Sequence, residues 1–285
     1  ILALLLLCVG LFVALQTLHT LIGLPRRARE WRIARRDHHA QQALREALAL
    51  YFGARYSRAH RAAQRALTIQ NVTPELQADP EFVTLARLLA AGSMHRLQDR
   101  TRRDELLQEA LATTPSGANG RAADEGVRLM AAEWALEDRD AERALELIAE
   151  LPPGLARRTQ ALRLKLQAAR LARQPLDALR TARLLAKHQG FSQVAAQGLL
   201  RSLAMEALDT ARDADQLLRV WEQLDAADRR DAFIAARAAM AMARHGRAAQ
   251  ARAMLQPFWD APAGRSAEEW QALAEALVRS LDGLA

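Results

Sequence analysis

Seven histidines, His19, His38, His39, His60, His95, His188 and His245, and a single cysteine, Cys8, are the side chains that could hold a metal or attack a substrate. Only His38 and His39 lie together. Adjacent residues on a helix point about 100° apart, so these two imidazoles are poorly placed to share one ion. Neither an H-E-x-x-H pattern nor a partner cysteine accompanies them, and zinc needs such a set. One of the pair could serve as an axial ligand to haem iron. A solvated helix face is the plainer reading, because nothing nearby in sequence would orient either ring.

Other chemistry has little to work with. No serine stands in a G-x-S-x-G context, and Cys8 lies inside an apolar run, so a nucleophile is lacking. Gly117 and Gly120 make the nearest approach to a phosphate loop, but no Lys-Ser/Thr follows and no strand precedes, which leaves a turn. Asp138 with Asp140, and Asp228 with Asp231, sit at turns among arginines and read as helix caps and surface charge. No catalytic residue, no metal site and no resident cofactor are expected. His38 and His39 stand as the candidates for haem or porphyrin.

The elements that would carry such residues begin with an apolar segment. Residues 1–24 contain no Asp, Glu, Lys or Arg, and about 20 apolar residues suffice to cross a bilayer as a helix. Arg26, Arg27, Arg29, Arg32, Arg35 and Arg36 follow, with Trp31 among them and Glu30 as the one acidic residue. Arginine at a membrane edge stays cytoplasmic, so residues 25–285 are expected in the cytoplasm, with 25–40 a basic helix at the membrane surface. A signal peptide would carry its basic residues before the apolar core, and a buried core helix would be shorter. The chain begins at Ile1, not Met, as a processed chain or a fragment would.

The formal charge is +7, with 40 Lys and Arg against 33 Asp and Glu. The juxtamembrane cluster accounts for most of that excess and suits attraction to anionic lipid. Nucleic acid is an unsuitable partner: no basic stretch interleaves aromatics for base stacking. Cys8 has no partner for an intrachain disulfide, as in a reducing compartment.

Beyond residue 25, Ala, Leu, Arg, Glu and Gln dominate, all good helix formers. Breakers such as Gly53, Pro80, Gly92, Pro175, Gly246 and Pro257 leave helical stretches between them. Residues 127–151 repeat over 161–185, aligning Met130 with Leu164, Ala135 with Ala169, Ala144 with Ala178, Leu145 with Leu179 and Leu151 with Leu185. A 34-residue period is that of the tetratricopeptide helix pair. Alanine matters there because two helices approach closely only over a small side chain. Ala59, Ala144, Ala178 and Ala251 are the expected close contacts, with Gly246 opening the last turn. Residues 85–92 and 103–114 form a further pair with little signature. An all-α array of about five or six antiparallel helix pairs is expected over 41–285, a generic Ala/Leu bundle being the alternative.

The whole layout resembles the proteobacterial HemY family of membrane-anchored tetratricopeptide proteins. The resemblance rests on the apolar helix followed by LPRRAREWRIARRDHHAQQALREALALYFGARYSRAHRAAQRAL, on RRDELLQEAL, on the region from Arg158 to Ser192, and on VWEQLDAADRRDAFIAARAAMAMARHGRAAQARAML. It implies an inner-membrane scaffold or adaptor associated with haem biosynthesis, whose partners are late haem-pathway enzymes. A haem- or porphyrin-binding regulator and a scaffold for envelope assembly are the alternatives. The family is described with two N-terminal membrane helices, so a first helix and a short loop would precede the one seen here, and the C-terminus looks short of a final hairpin. An unrelated flavin-dependent oxidase shares the family's name, but its dinucleotide-binding glycines are absent.

Overall fold

The structure is a computed structural model that describes residue 12 and residues 29–73, 79–112, 122–188, 192–262 and 264–281. The expected membrane helix over 1–24 lies outside the described residues apart from Phe12, and Arg26, Arg27, Gly117 and Gly120 lie outside them too. Among the described residues no helix is long and apolar enough to cross a membrane.

Those residues form helices and their connections, without strands. Residues 29–52 are α1. Then follow α2 (Tyr56–Asn71), α3 (Pro80–Arg96), α4 (Arg100–Ala112), α5 (Ala122–Glu137), α6 (Ala141–Ala149), the single turn α7 (Pro153–Ala156), α8 (Thr159–Leu171), α9 (Pro175–Lys187), α10 (Gln193–Asp209) and α11 (Ala214–Gln223). The chain closes with the single turn α12 (Ala226–Arg229), α13 (Ala232–Arg244), α14 (Ala248–Asp260) and α15 (Ala267–Leu281). The all-α class expected from the sequence is what the chain adopts. It divides into two compact units, Ile1–Arg128 and Leu129–Ala285, with the boundary inside α5.

Short polar residues start many of these helices. Asp79 accepts from the N–H of Glu81 and Phe82 ahead of α3, with Pro80 in its first turn. Asp140, Asp213 and Asp231 do the same for α6, α11 and α13. Ser266 and Glu269 bond each other's backbone N–H at the start of α15. Each device satisfies donors that the first helical turn leaves open.

The stops differ from the sequence reading at two places. Helix α3 continues through Gly92, where a Cβ would come within 3.4 Å of the Tyr51 ring. Glycine there admits an aromatic from α1 and breaks nothing. Helix α14 continues through Pro257 to Asp260.

One turn geometry joins helices within the repeat. Ala54, Gln98, Arg139, Arg173 and Gly246 all have positive φ, between 56° and 76°. In each case the next N–H bonds a carbonyl five residues back: Arg55 to Leu50, Asp99 to Met94, Asp140 to Ala135, Gln174 to Ala169 and Arg247 to Met242, at 2.8–3.1 Å. This is the 6→1 bond of a Schellman cap. Arg139 and Arg173 are 34 positions apart, the same offset as Ala144 and Ala178.

Left-handed backbone costs an L-residue roughly 1–2 kcal/mol. Glycine returns some of that through its larger unfolded-state entropy. Arg139→Gly is therefore expected to stabilise the protein by about 0.5–1 kcal/mol, read as a higher urea midpoint with unchanged slope. A destabilised Arg139→Gly would mean that the turn is held by the arginine side chain.

In the first unit α2 packs on α3 and α3 on α4, around Ala40, Ala43, Ala66 and Phe82. In the second, consecutive helices pack from α8 to α11, and again from α13 to α15. Helices α10, α13 and α15 also form a ladder of their own, α13 touching both neighbours. Helix α13 is apolar nearly all round, with Ala232, Ile234, Ala235, Ala236, Ala238, Ala239, Ala241 and Met242 buried. Such a helix belongs at the centre of a packed layer, and its six buried alanines let neighbours come close.

Candidate functional site

The basic edge and the histidines share α1. Arg29, Trp31, Arg32, Arg35 and Arg36 are on its first turns; the Arg35 guanidinium lies 5.2 Å from the centroid of the exposed Trp31 ring. Further along the same helix Ala40, Ala43 and Ala47 are buried. One continuous helix thus carries both the basic edge and a packed face. His38 and His39 sit between the two, exposed, with ring centroids 6.3 Å apart and planes at 61°. The described residues hold no cluster of three or more metal-ligating side chains.

Ala59, Ala144, Ala178 and Ala251 are fully buried. Each is the fifth residue after a left-handed turn residue: Ala54, Arg139, Arg173 and Gly246. The fifth such position, after Gln98, holds Arg103. Its side chain is buried at 4% exposure. The Arg103 guanidinium donates to Asp104 at 2.8 Å and lies 3.3 Å from His95 Nδ1. A cation with its own partners occupies the place where the other four hairpins put a methyl group.

Nearby on α2, His60 is half-buried. Burial lowers its pKa below the usual 6.5; a hydrogen bond to the Ala90 backbone opposes this, Arg102 adds to the lowering and Asp99 opposes it. Its Nδ1 is buried without a partner. A folded pKa below the unfolded one means that the unfolded chain binds more protons, so stability holds above pH 6.5 and is lost as pH falls through the folded value. His60→Gln should flatten that loss. Urea midpoints taken from about pH 8 down to about pH 5 would check it; an equally steep decline in the variant would assign the slope elsewhere.

Ion pairs tie the second unit together. Arg183 of α9 reaches Asp225 at 2.7 Å and also pairs with Asp228. Asp228 is buried at 6% exposure, not the surface charge expected of it. Burial raises its pKa, against the pull of Arg183. Arg201 of α10 grips Asp231 through two nitrogens at 2.9 and 2.7 Å, and Arg237 of α13 grips Asp209 at 2.8 and 2.7 Å. These acidic residues are structural, each bound by an arginine or a helix N-terminus.

One concave feature of the second unit was not anticipated. Helices α11, α12 and α14 all pack on α13 and leave an open trough of about 530 Å³ between them. Leu218 and Trp221 form one wall, and Ala253, Met254 and Pro257 the other, while Arg229 and Arg230 stand at the α12 edge. The sequence did hold a trace of it. Gln250, Ala253, Met254 and Pro257 follow the i, i+3, i+4, i+7 pattern, beside the core stripe of Ala251, Leu255 and Phe258.

Fold and surface together define a helical-repeat protein whose first described helix carries a basic, tryptophan-bearing end. Residues 1–98 match the family model described as HemY protein N-terminus. This N-terminal third belongs to the HemY family, as the resemblance implied, and the match ends at Gln98, the left-handed residue after α3. No curated protein matches the chain.

Proposed function

We propose that the chain is a membrane-anchored, non-catalytic scaffold of tetratricopeptide type, acting in late haem biosynthesis by binding other proteins. The HemY match over residues 1–98 carries this reading, since the family implies association with haem biosynthesis. Stacked helix pairs supply extended surface for protein partners. Residues 1–24 span the inner membrane and residues 25–285 lie in the cytoplasm, by the arginine-rich edge of α1. Anionic lipid attracts that edge, and Trp31 rests at headgroup level. The partners are late haem-pathway enzymes, held close to membrane-borne porphyrins.

The anchor and the repeats are both needed. A version starting at Asp37 keeps the buried Ala40, Ala43 and Ala47 of α1, so it is expected to fold. It should nonetheless fail to correct a deletion strain, which should accumulate porphyrins or their precursors. Full correction by the soluble form would argue against a membrane scaffold. Normal porphyrin levels in the deletion strain would point to envelope assembly. Turnover of a porphyrin precursor by the purified protein alone would make it an enzyme.

A further inference from the structure

We infer that the trough between α11, α12 and α14 receives an amphipathic helix of a partner protein, one whose apolar face is flanked by carboxylates. The trough is open to solvent. A small ligand is ordinarily buried over most of its surface, whereas an open groove suits a helix laid along it. The wall from Gln250 to Pro257 runs two turns, about 10 Å, enough for two successive apolar anchors of such a helix.

Two independent observations converge here. The first is an unpartnered second face on α14. Ala251, Leu255 and Phe258 already fill the core side of that helix, yet Ala253 and Pro257 remain exposed next to Met254. The second is charge. Arg229 and Arg230 are exposed at the rim, and neither has a carboxylate within ion-pair distance among the described residues. Apolar floor and cationic rim together select an acid-flanked amphipathic helix over a basic one.

This deepens the scaffold reading, on which it rests only for the partner being a protein. The test uses the full chain in its membrane, with photoreactive benzoylphenylalanine replacing Ala253. Irradiation should yield an adduct whose captured segment reads as an amphipathic helix flanked by Asp or Glu. Arg229→Glu with Arg230→Glu should lower the yield at least tenfold without changing the melting temperature. Gln250→Glu, on a different helix, should lower it too. Changing the acidic residues of the captured segment to Lys should restore capture by the Arg229→Glu/Arg230→Glu protein. An adduct to lipid, to a small molecule or to a basic segment would overturn the inference. So would no adduct above that from the same probe at Gln167, exposed on α8, or a yield indifferent to charge reversal. The porphyrin content of the deletion strain judges the scaffold role and the adduct at Ala253 judges the trough, so either can fail alone.

Discussion

Ala178→Trp is expected to destabilise the second unit by about 3 kcal/mol, the upper end of the usual cost of overpacking. Ala178 has no exposed surface and belongs to the same buried cluster as Ala169, Ala182 and Leu185. Helix α9 is held on both sides, by α8 and by α10, so it cannot swing away from an indole without giving up one contact for another. Close-packed interiors transmit such strain and do not absorb it. Leu184→Trp, on the exposed side of the same helix, should stay within about 0.5 kcal/mol of wild type. Urea unfolding of the version starting at Asp37 would read both. Equal midpoints for the two variants would mean that the 34-residue register misplaces the close contact.

Asp231→Ala should cost about 2 kcal/mol, by a different route. One carboxylate does two jobs. Oδ1 accepts from the N–H of Phe233 and Ile234 at the start of α13, at 3.0 and 3.3 Å. Oδ2 takes both nitrogens of Arg201 from α10. Loss of an aspartate cap costs about 1 kcal/mol, and a charge-assisted pair adds about 1.5–3 kcal/mol before solvent screening. Arg201 is 31% exposed, which reduces the second contribution. Arg201→Met should therefore cost only about 1 kcal/mol, since it spares the cap and its side chain can still cover Phe233, over which the guanidinium now lies at 4.5 Å. If both variants lost the same stability, the cap would contribute nothing and the ion pair everything.

These variants bear on how much of the fold the sequence displays. Ala144 and Ala178 were legible, because a close helix crossing favours a small side chain and the two recur 34 residues apart. Gly246 was legible as a turn because glycine favours positive φ. Ala54, Gln98, Arg139 and Arg173 adopt the same backbone with nothing in their side chains to announce it. Packing of the flanking helices imposes that geometry against local preference. The α3–α4 pair lacked a signature for a related reason: Arg103 stands where the pattern wants alanine, and its burial depends on Asp104 and His95. Pro257 read as a stop because helix interiors ordinarily reject proline, yet α14 passes through it. The trough was hidden because it is made by three helices meeting on a fourth. From the sequence alone, its Met254 and Trp221 could equally have belonged to the core.

The four left-handed turns without glycine also set an order of events in time. A turn that resists its own geometry cannot lead, since closing it early costs energy that no contact has yet returned. The helices on either side must meet first, through residues such as Ala144 and Ala178, and the turn then yields to them. Folding of this chain would start in the seams between neighbouring helices and finish at the bends. Because those seams join segments close in sequence, the search is short, and the awkward bends slow the last step of each hairpin without misdirecting the first.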